Sequence, residues 1–113
     1  MDIHKLFNID GKTALITGGS RGIGEMIAAG FLANGVKVYI TARKEAPLIE
    51  KAKELSERFN GECIAIPCDL SNMEGIQKLA SDYLGHEDSL DILVNNAGAA
   101  WGEPYENFSE KGW

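Results

Sequence analysis

The run Thr17-Gly18-Gly19-Ser20-Arg21-Gly22-Ile23-Gly24 places four glycines in eight residues, directly after a short apolar run and directly before a helical pattern. Glycines at this spacing allow a tight turn, let the backbone approach a pyrophosphate closely, and let the following helix pack hard against the preceding strand. The helix N-terminus then offers free N–H groups and the positive end of its dipole to an anion. A Walker loop is excluded, because no Gly-Lys-Ser/Thr follows and no lysine stands in the run to reach a terminal phosphate. At the first strand-to-helix turn of a βαβ unit, such a loop reads as a dinucleotide site.

Outward from the loop the pattern is regular. Residues 13–17, 36–41, 62–68 and 90–95 are apolar runs rich in β-branched side chains, as in strands covered on both faces. Between the first two, Ile23, Met26, Ile27, Gly30 and Phe31 recur at helical spacing and Asn34-Gly35 supplies a left-handed stop. A second helix has Pro47 near its start, Leu48, Ala52, Leu55 and Phe59 on one face, and Asn60-Gly61 at its end. A third opens with the capping-box pattern Ser71-Asn72-Met73-Glu74, carries Met73, Ile76, Leu79 and Tyr83 at helical spacing, and ends at Gly85. The order β-α-β-α-β-α-β with right-handed crossovers predicts an α/β fold, a Rossmann-type doubly wound parallel sheet. After Asn96 the pattern stops: residues 99–113 hold Trp101, Tyr105, Phe108 and Trp113, four of the nine aromatics, without a clear period. The expectation is a sheet truncated after its fourth strand, whose open apolar edge a finished domain would avoid.

With 113 residues, 44% hydrophobic and 25% charged, the composition is that of one globular domain. The net charge of −6 argues against nucleic acid or an anionic membrane held by general electrostatics, so any bound anion must be gripped locally. Cys63 and Cys68 are five residues apart, which on a strand points them to opposite faces as two reduced core thiols. His4 and His86 stand far apart with no metal-ligand spacing around them, and no metal is expected. The N-terminus lacks a charged-then-apolar signal pattern and no apolar run approaches the roughly 18 residues of a membrane span, so the expected address is the cytoplasm.

The second strand run discriminates between dinucleotides. Where an NAD site carries an acidic residue about twenty positions beyond the glycines, this chain reads Thr41-Ala42-Arg43-Lys44, with no carboxylate before Glu45. Arg43, with Arg21 inside the loop, suits a 2′-phosphate through charge-assisted guanidinium bonds, which favours NADP over NAD. The alternative is that Arg43 and Lys44 are solvated charges at a strand end and that Glu45 turns in toward a ribose. Asp69, at the end of the third run, either caps the following turn or accepts from an adenine amino group; its place at a strand's carboxyl end favours the second. Asn95-Asn96-Ala97-Gly98 ends the fourth run, with one asparagine expected to be structural and the other near a cofactor.

Together these residues resemble the short-chain dehydrogenase/reductase family over nearly the whole chain. Thr17-Gly18-x-x-x-Gly22-x-Gly24 is similar to its cofactor loop, Asp69-Leu70 to its adenine contact, and Asn95-Asn96-Ala97-Gly98 to its fourth-strand motif. Residues 16–24 and 90–98 resemble the 3-oxoacyl-acyl-carrier-protein reductase branch, and the Trp101-Gly102 that follows resembles its rhamnolipid-associated members. The resemblance implies NADP(H) contacts from Gly18, Gly19, Ser20, Arg21, Gly22, Ile23, Gly24, Arg43, Asp69, Leu70, Asn96, Ala97 and Gly98. It also implies a carbonyl or 3-oxoacyl substrate and a homo-tetramer, both for an intact enzyme.

Family members are more than twice as long, and their catalytic Ser, Tyr and Lys lie in the second half. In this chain Tyr39 is followed four residues later by Arg43, Tyr83 by Glu87 and Tyr105 by Ser109, so Tyr-x-x-x-Lys does not occur. No catalytic residue is therefore assigned. The chain reads as the amino-terminal part of a single NAD(P)-binding domain, inactive without the catalytic half. The competing reading is a non-catalytic module that senses NADP.

Overall fold

In the computed structural model, residues 8–20 and 22–96 are described. Among them four strands and three helices alternate: β1 (Thr13–Thr17), α1 (Gly22–Ala33), β2 (Lys37–Ala42), α2 (Glu45–Phe59), β3 (Cys63–Pro67), α3 (Met73–Leu84) and β4 (Ile92–Asn95). The strands form one parallel sheet in the order β3-β2-β1-β4. The chain steps from β1 through β2 to β3 in one direction, then crosses back to place β4 on the other side of β1. That reversal is the switch point of a doubly wound fold, and the crevice beyond the strands' carboxyl ends at that point is where such folds bind ligands. The aromatic residues 101–113 lie outside the described residues.

Each face of the sheet has its own core. On one face Ala14, Ile16, Val38, Ile40 and Cys63 pack with Ala28 and Leu32 of α1 and Leu48, Ala52 and Leu55 of α2. On the other, Leu15, Tyr39, Ile66 and Cys68 pack with Leu79 and Tyr83 of α3. Alternate strand residues point to opposite faces, so the middle of a strand covered on both must be apolar, as Ala14–Ile16 of β1 and Val38–Ile40 of β2 are. The two cysteines follow the same rule: both are free and buried, one in each core. Burial alone pushes the Cys63 thiol up to about 12.

The helix ends are set by local chemistry. Gly35 (φ 79°) follows α1 and Asn60 (φ 49°) caps α2, both left-handed, as the Asn-Gly pairs predict. Pro47 sits within the first turn of α2, where its missing N–H costs no helical bond. For α3 the N-cap is Asn72 and not Ser71: Asn72 Oδ1 accepts from Gly75 N at 2.7 Å.

The inward face of α1 also differs from its sequence pattern. Gly24, Ala28 and Leu32 face the sheet, whereas Ile23 and Met26 are 68% and 72% exposed. Small residues win the inward positions because α1 starts so close to β1 that only a glycine fits there. On α3, Leu79 and Tyr83 are buried as expected, but Met73 and Ile76 are exposed and Gly75 takes an inward place. Leu93 of the edge strand β4 is 62% exposed, on the face opposite Ile92 and Val94.

At the amino ends of the strands a polar cluster replaces apolar packing. The fully buried Tyr39 donates its hydroxyl to Glu87, which also pairs with Lys37 at 2.7 Å. Tyr83 lies edge-on to Tyr39 with ring centroids 5.0 Å apart, and its hydroxyl donates to the Ser89 carbonyl at 2.5 Å. The loop after α3 is thus tied to β2. The Lys37 ammonium and then the Tyr39 hydroxyl hold the Glu87 carboxyl below its ordinary value near 4.5. A depressed carboxyl stabilises the fold above its unfolded value and loses that contribution as pH falls through the folded one. Glu87→Ala is expected to cost about 1–3 kcal/mol at pH 7, because it leaves the buried Tyr39 hydroxyl without its acceptor and takes from Lys37 the nearer of its two carboxylates. In urea melts, the gap between variant and wild type should narrow steadily from pH 5 to pH 3.

Candidate dinucleotide site

The glycine loop leaves β1 at Thr17 and is held from three sides. Gly18 N donates to the Thr41 carbonyl at 2.9 Å, extending the β1–β2 ladder by one bond. Gly18 then turns with φ 71°, a left-handed conformation that a side chain would strain. From β4, Asn96 N donates to Thr17 Oγ1 at 2.9 Å and Asn96 Nδ2 donates to the Gly18 carbonyl at 3.3 Å. Thr17 Oγ1 also lies 3.2 Å from Asn95 Oδ1 and donates to it. Both asparagines are therefore engaged with the β1 end of the loop.

The third contact is α1 itself. Gly24 is buried so close to the loop that an added Cβ would collide with the Gly18 carbonyl oxygen and come within 2.7 Å of Asn96 Nδ2. This close approach brings the amino end of α1, with its unpaired N–H groups and positive dipole end, up to the carboxyl edge of the sheet.

Two further candidates leave the same edge. Arg43 is exposed immediately after β2, and the bond from Cys68 N to the Ala42 carbonyl at 3.0 Å carries the β2–β3 ladder one residue past β3. Asp69 therefore emerges beside Arg43. Ser71 N donates to Asp69 Oδ1 at 2.9 Å. The Ser71 hydroxyl and this backbone bond, with a smaller contribution from the Arg43 charge, hold the Asp69 carboxyl below the ordinary range. Asp69 thus does cap its own turn, the plainer of the two roles read from the sequence, while a carboxylate retains acceptor capacity for a second partner.

Of the sequence candidates, Gly18, Gly22, Gly24, Arg43, Asp69 and Asn96 come together at the carboxyl ends of β1 to β4. Gly19 is buried beneath the loop, Ser20 is half-buried, Ile23 is exposed, and Leu70 packs against the α3-side core. Arg21, Ala97 and Gly98 lie outside the described residues. Sequence reading left out Thr17 as a loop-holding hydroxyl and Ser71 as the partner of Asp69. The Asp-x-Ser spacing, which favours a side-chain-to-backbone turn, was the signal for the second. Among the described residues no group of three or more His, Cys, Asp or Glu side chains converges to hold a metal ion, and no helix is long and apolar enough to cross a membrane.

A glycine loop joining β1 to α1 at the switch point of a parallel sheet defines a nucleotide-binding α/β protein. The family profile described as short chain dehydrogenase matches residues 12–113. A rhamnolipids biosynthesis 3-oxoacyl-[acyl-carrier-protein] reductase of Pseudomonas aeruginosa is 46% identical over 111 residues, which are 98% of this chain and 43% of that protein. A fatty acyl-CoA reductase of Acinetobacter baylyi is 42% identical over 80% of this chain and 30% of its own length. Among solved structures, the Pseudomonas aeruginosa RhlG/NADP active-site complex superimposes with a TM-score of 0.79 at 47% identity, covering 86% of this chain and 38% of that one. The L-sorbose reductase of Gluconobacter frateurii, complexed with NADPH and L-sorbose, gives a TM-score of 0.79 at 35% identity over 92% of this chain and 40% of that one. The chain belongs to the short-chain dehydrogenase family. It spans less than half the length of these relatives.

Two alanine substitutions separate the close approach of α1 from ordinary helix propensity. Gly24→Ala should destabilise the chain by about 1–3 kcal/mol through overpacking against the Gly18 carbonyl. Gly30→Ala, on the same helix with nothing within 4 Å of the new Cβ, should instead stabilise it by about 0.5–1 kcal/mol. Urea denaturation of both variants beside wild type reads the contrast directly.

Proposed function

We propose that this chain forms the cofactor-gripping part of an NADPH-dependent oxidoreductase that reduces a carbonyl. The observation that carries the cofactor choice is Arg43, exposed after β2 beside the glycine loop, with no carboxylate between the strand and Glu45. A guanidinium there matches a 2′-phosphate dianion by charge and by fork geometry. The NADP and NADPH bound in the solved relatives support the same choice.

The residues present fit a dinucleotide. The amides at the start of α1 would take the pyrophosphate, Arg43 the 2′-phosphate and Asp69 the adenine. When bound, the reduced nicotinamide supplies hydride to a carbonyl carbon. This chain's part is to orient that ring by fixing the rest of the cofactor across the carboxyl ends of β1 to β3. Protonation of the carbonyl oxygen falls, in this proposal, to residues beyond these 113. Tyr39 is unsuited to it: desolvation, then its bond to Glu87, push its hydroxyl up to about 12, and that bond faces the opposite end of the sheet.

A 3-oxoacyl thioester is the proposed substrate class of the intact enzyme, by similarity to the Pseudomonas aeruginosa reductase. A homo-tetramer in the cytoplasm is the proposed setting, the address supported by two free, buried thiols. The chain alone should turn over no carbonyl substrate; steady NADPH oxidation with acetoacetyl thioester by the 113-residue protein would contradict that division of labour. A module that senses NADP without chemistry would use the same site, and it gains support if wild type binds NADPH with a cooperative melt of its own. Calorimetric titration should show Arg43→Ala weakening NADPH by about tenfold or more, the scale of one charge-assisted pair, while NADH changes by less than about twofold. Equal losses for both cofactors would remove Arg43 from the phosphate site.

A further inference from the structure

The strand β3 ends one side of the sheet, with β2 as its hydrogen-bonded neighbour among the described residues. The Glu62 carbonyl accepts from Val38 N at 2.9 Å, and Cys68 N donates to the Ala42 carbonyl at 3.0 Å. In a parallel ladder alternate residues turn their backbone groups to the same neighbour, so residues 62, 64, 66 and 68 bond β2 while Cys63, Ala65 and Pro67 present theirs outward. An outward row of this kind is a template for another strand.

The row is interrupted at both ends. At Cys63 the Ser56 hydroxyl of α2 takes both groups, accepting from Cys63 N at 2.9 Å and donating to its carbonyl at 3.1 Å. Pro67 has no N–H to offer, and its carbonyl accepts from Lys78 Nζ of α3 at 3.2 Å. Asp82, one helical turn on, pairs with Lys78 at 3.4 Å. Between these ends the Ala65 N–H and carbonyl are left without a partner among the described residues, in the hollow beside Ser81, Asp82 and His86.

Two copies meeting edge to edge about a two-fold axis would run antiparallel. Centred on Ala65, they would exchange a single pair of bonds and set Pro67 against a Cys63 already taken by Ser56. Centred on Ile66, Ala65 would face Pro67 twice, but Pro67 lacks the donor and Lys78 occupies its carbonyl. We propose that Ser56, Pro67 and the Lys78–Asp82 pair guard the β3 edge against a second copy of this chain, and that residues 65–67 become a self-association surface once the guards at the carboxyl end are removed.

The test variant is Pro67→Val/Lys78→Ala/Asp82→Ala. It restores a donor at position 67, frees the carbonyl there and removes the ion pair as a unit, so the net charge stays at −6. Sedimentation velocity across a concentration series should show self-association at least about tenfold tighter than wild type, the scale of one or two added backbone hydrogen bonds. The amides at positions 65 and 67 should gain hydrogen-exchange protection as the dimer forms. If the triple variant lacks a cooperative melt, Pro67→Val alone should move both readouts the same way by a smaller amount. Adding Ala65→Pro removes the remaining outward donor and leaves the bonds to β2 in place, so association should return to the wild-type level. Variants no more associated than wild type overturn the inference. So does association that survives Ala65→Pro or leaves the two amides unprotected, because it then uses another surface. A wild-type chain that already dimerises with its Ala65 amide protected overturns it as well.

Discussion

The contact between Gly24 and the carbonyl of Gly18 governs the geometry of the whole carboxyl edge. Because Gly24 has no Cβ, α1 begins against the loop that precedes it, and Asn96 reaches from β4 to the same carbonyl. Three elements meet at one peptide group. The inward face of α1 follows from this, since a helix that starts so near the strand must present Gly24 and Ala28 before it has room for Leu32. So does the position of β4, whose last residues are bonded to Thr17 and Gly18 at the point where the strand order reverses. Both ends of the loop are held by the chain's own contacts, at Thr17 and Gly18 and at Gly24, which lowers the ordering cost of gripping a phosphate.

A chain of net charge −6 can still suit a phosphate-rich ligand, because the attraction is local. Backbone N–H groups at the start of α1 and the exposed guanidinium of Arg43 act over a few ångströms, within the roughly 8 Å screening length of physiological salt. Three of the acidic groups are drawn into other bonds. Glu25 pairs with Lys51 between α1 and α2, and Glu87 is held by Lys37 at the opposite end of the sheet. Asp69, whose carboxylate feels the Arg43 charge, accepts from the Ser71 N–H.

The fold was largely legible in the residues because two strong signals agreed. Uninterrupted apolar runs at Leu15–Ile16 and Val38–Ile40 need both sheet faces covered, and the helical repeats between strands supply the cover. Asn60 and Gly35 stopped their helices where the left-handed region was required. Hydrophobic periodicity misplaced the face of α1, because it scores size and apolarity while this helix was chosen for closeness. Ile23 and Met26 looked like core and are exposed; Gly24 looked like loop chemistry alone and is packing too. At the site, residue type and position brought out Arg43 and Asp69. The Thr17 hydroxyl was not legible, since its partners depend on register between β1 and β4, whereas the Ser71 N–H on Asp69 had a signal in the Asp-x-Ser spacing.

The central claim is that the carboxyl edge formed by the glycine loop, Arg43 and Asp69 grips NADP. Amide chemical shifts of the isotopically labelled chain, followed residue by residue during titration with NADP, test it most directly. The account predicts that the largest changes fall at Gly18 to Gly24, with smaller ones at Arg43 and at Asp69 to Ser71, and that Ala65, Ser81 and His86 in the hollow between β3 and α3 stay still. Saturable changes confined to that hollow, or none at the loop at millimolar NADP, would contradict it.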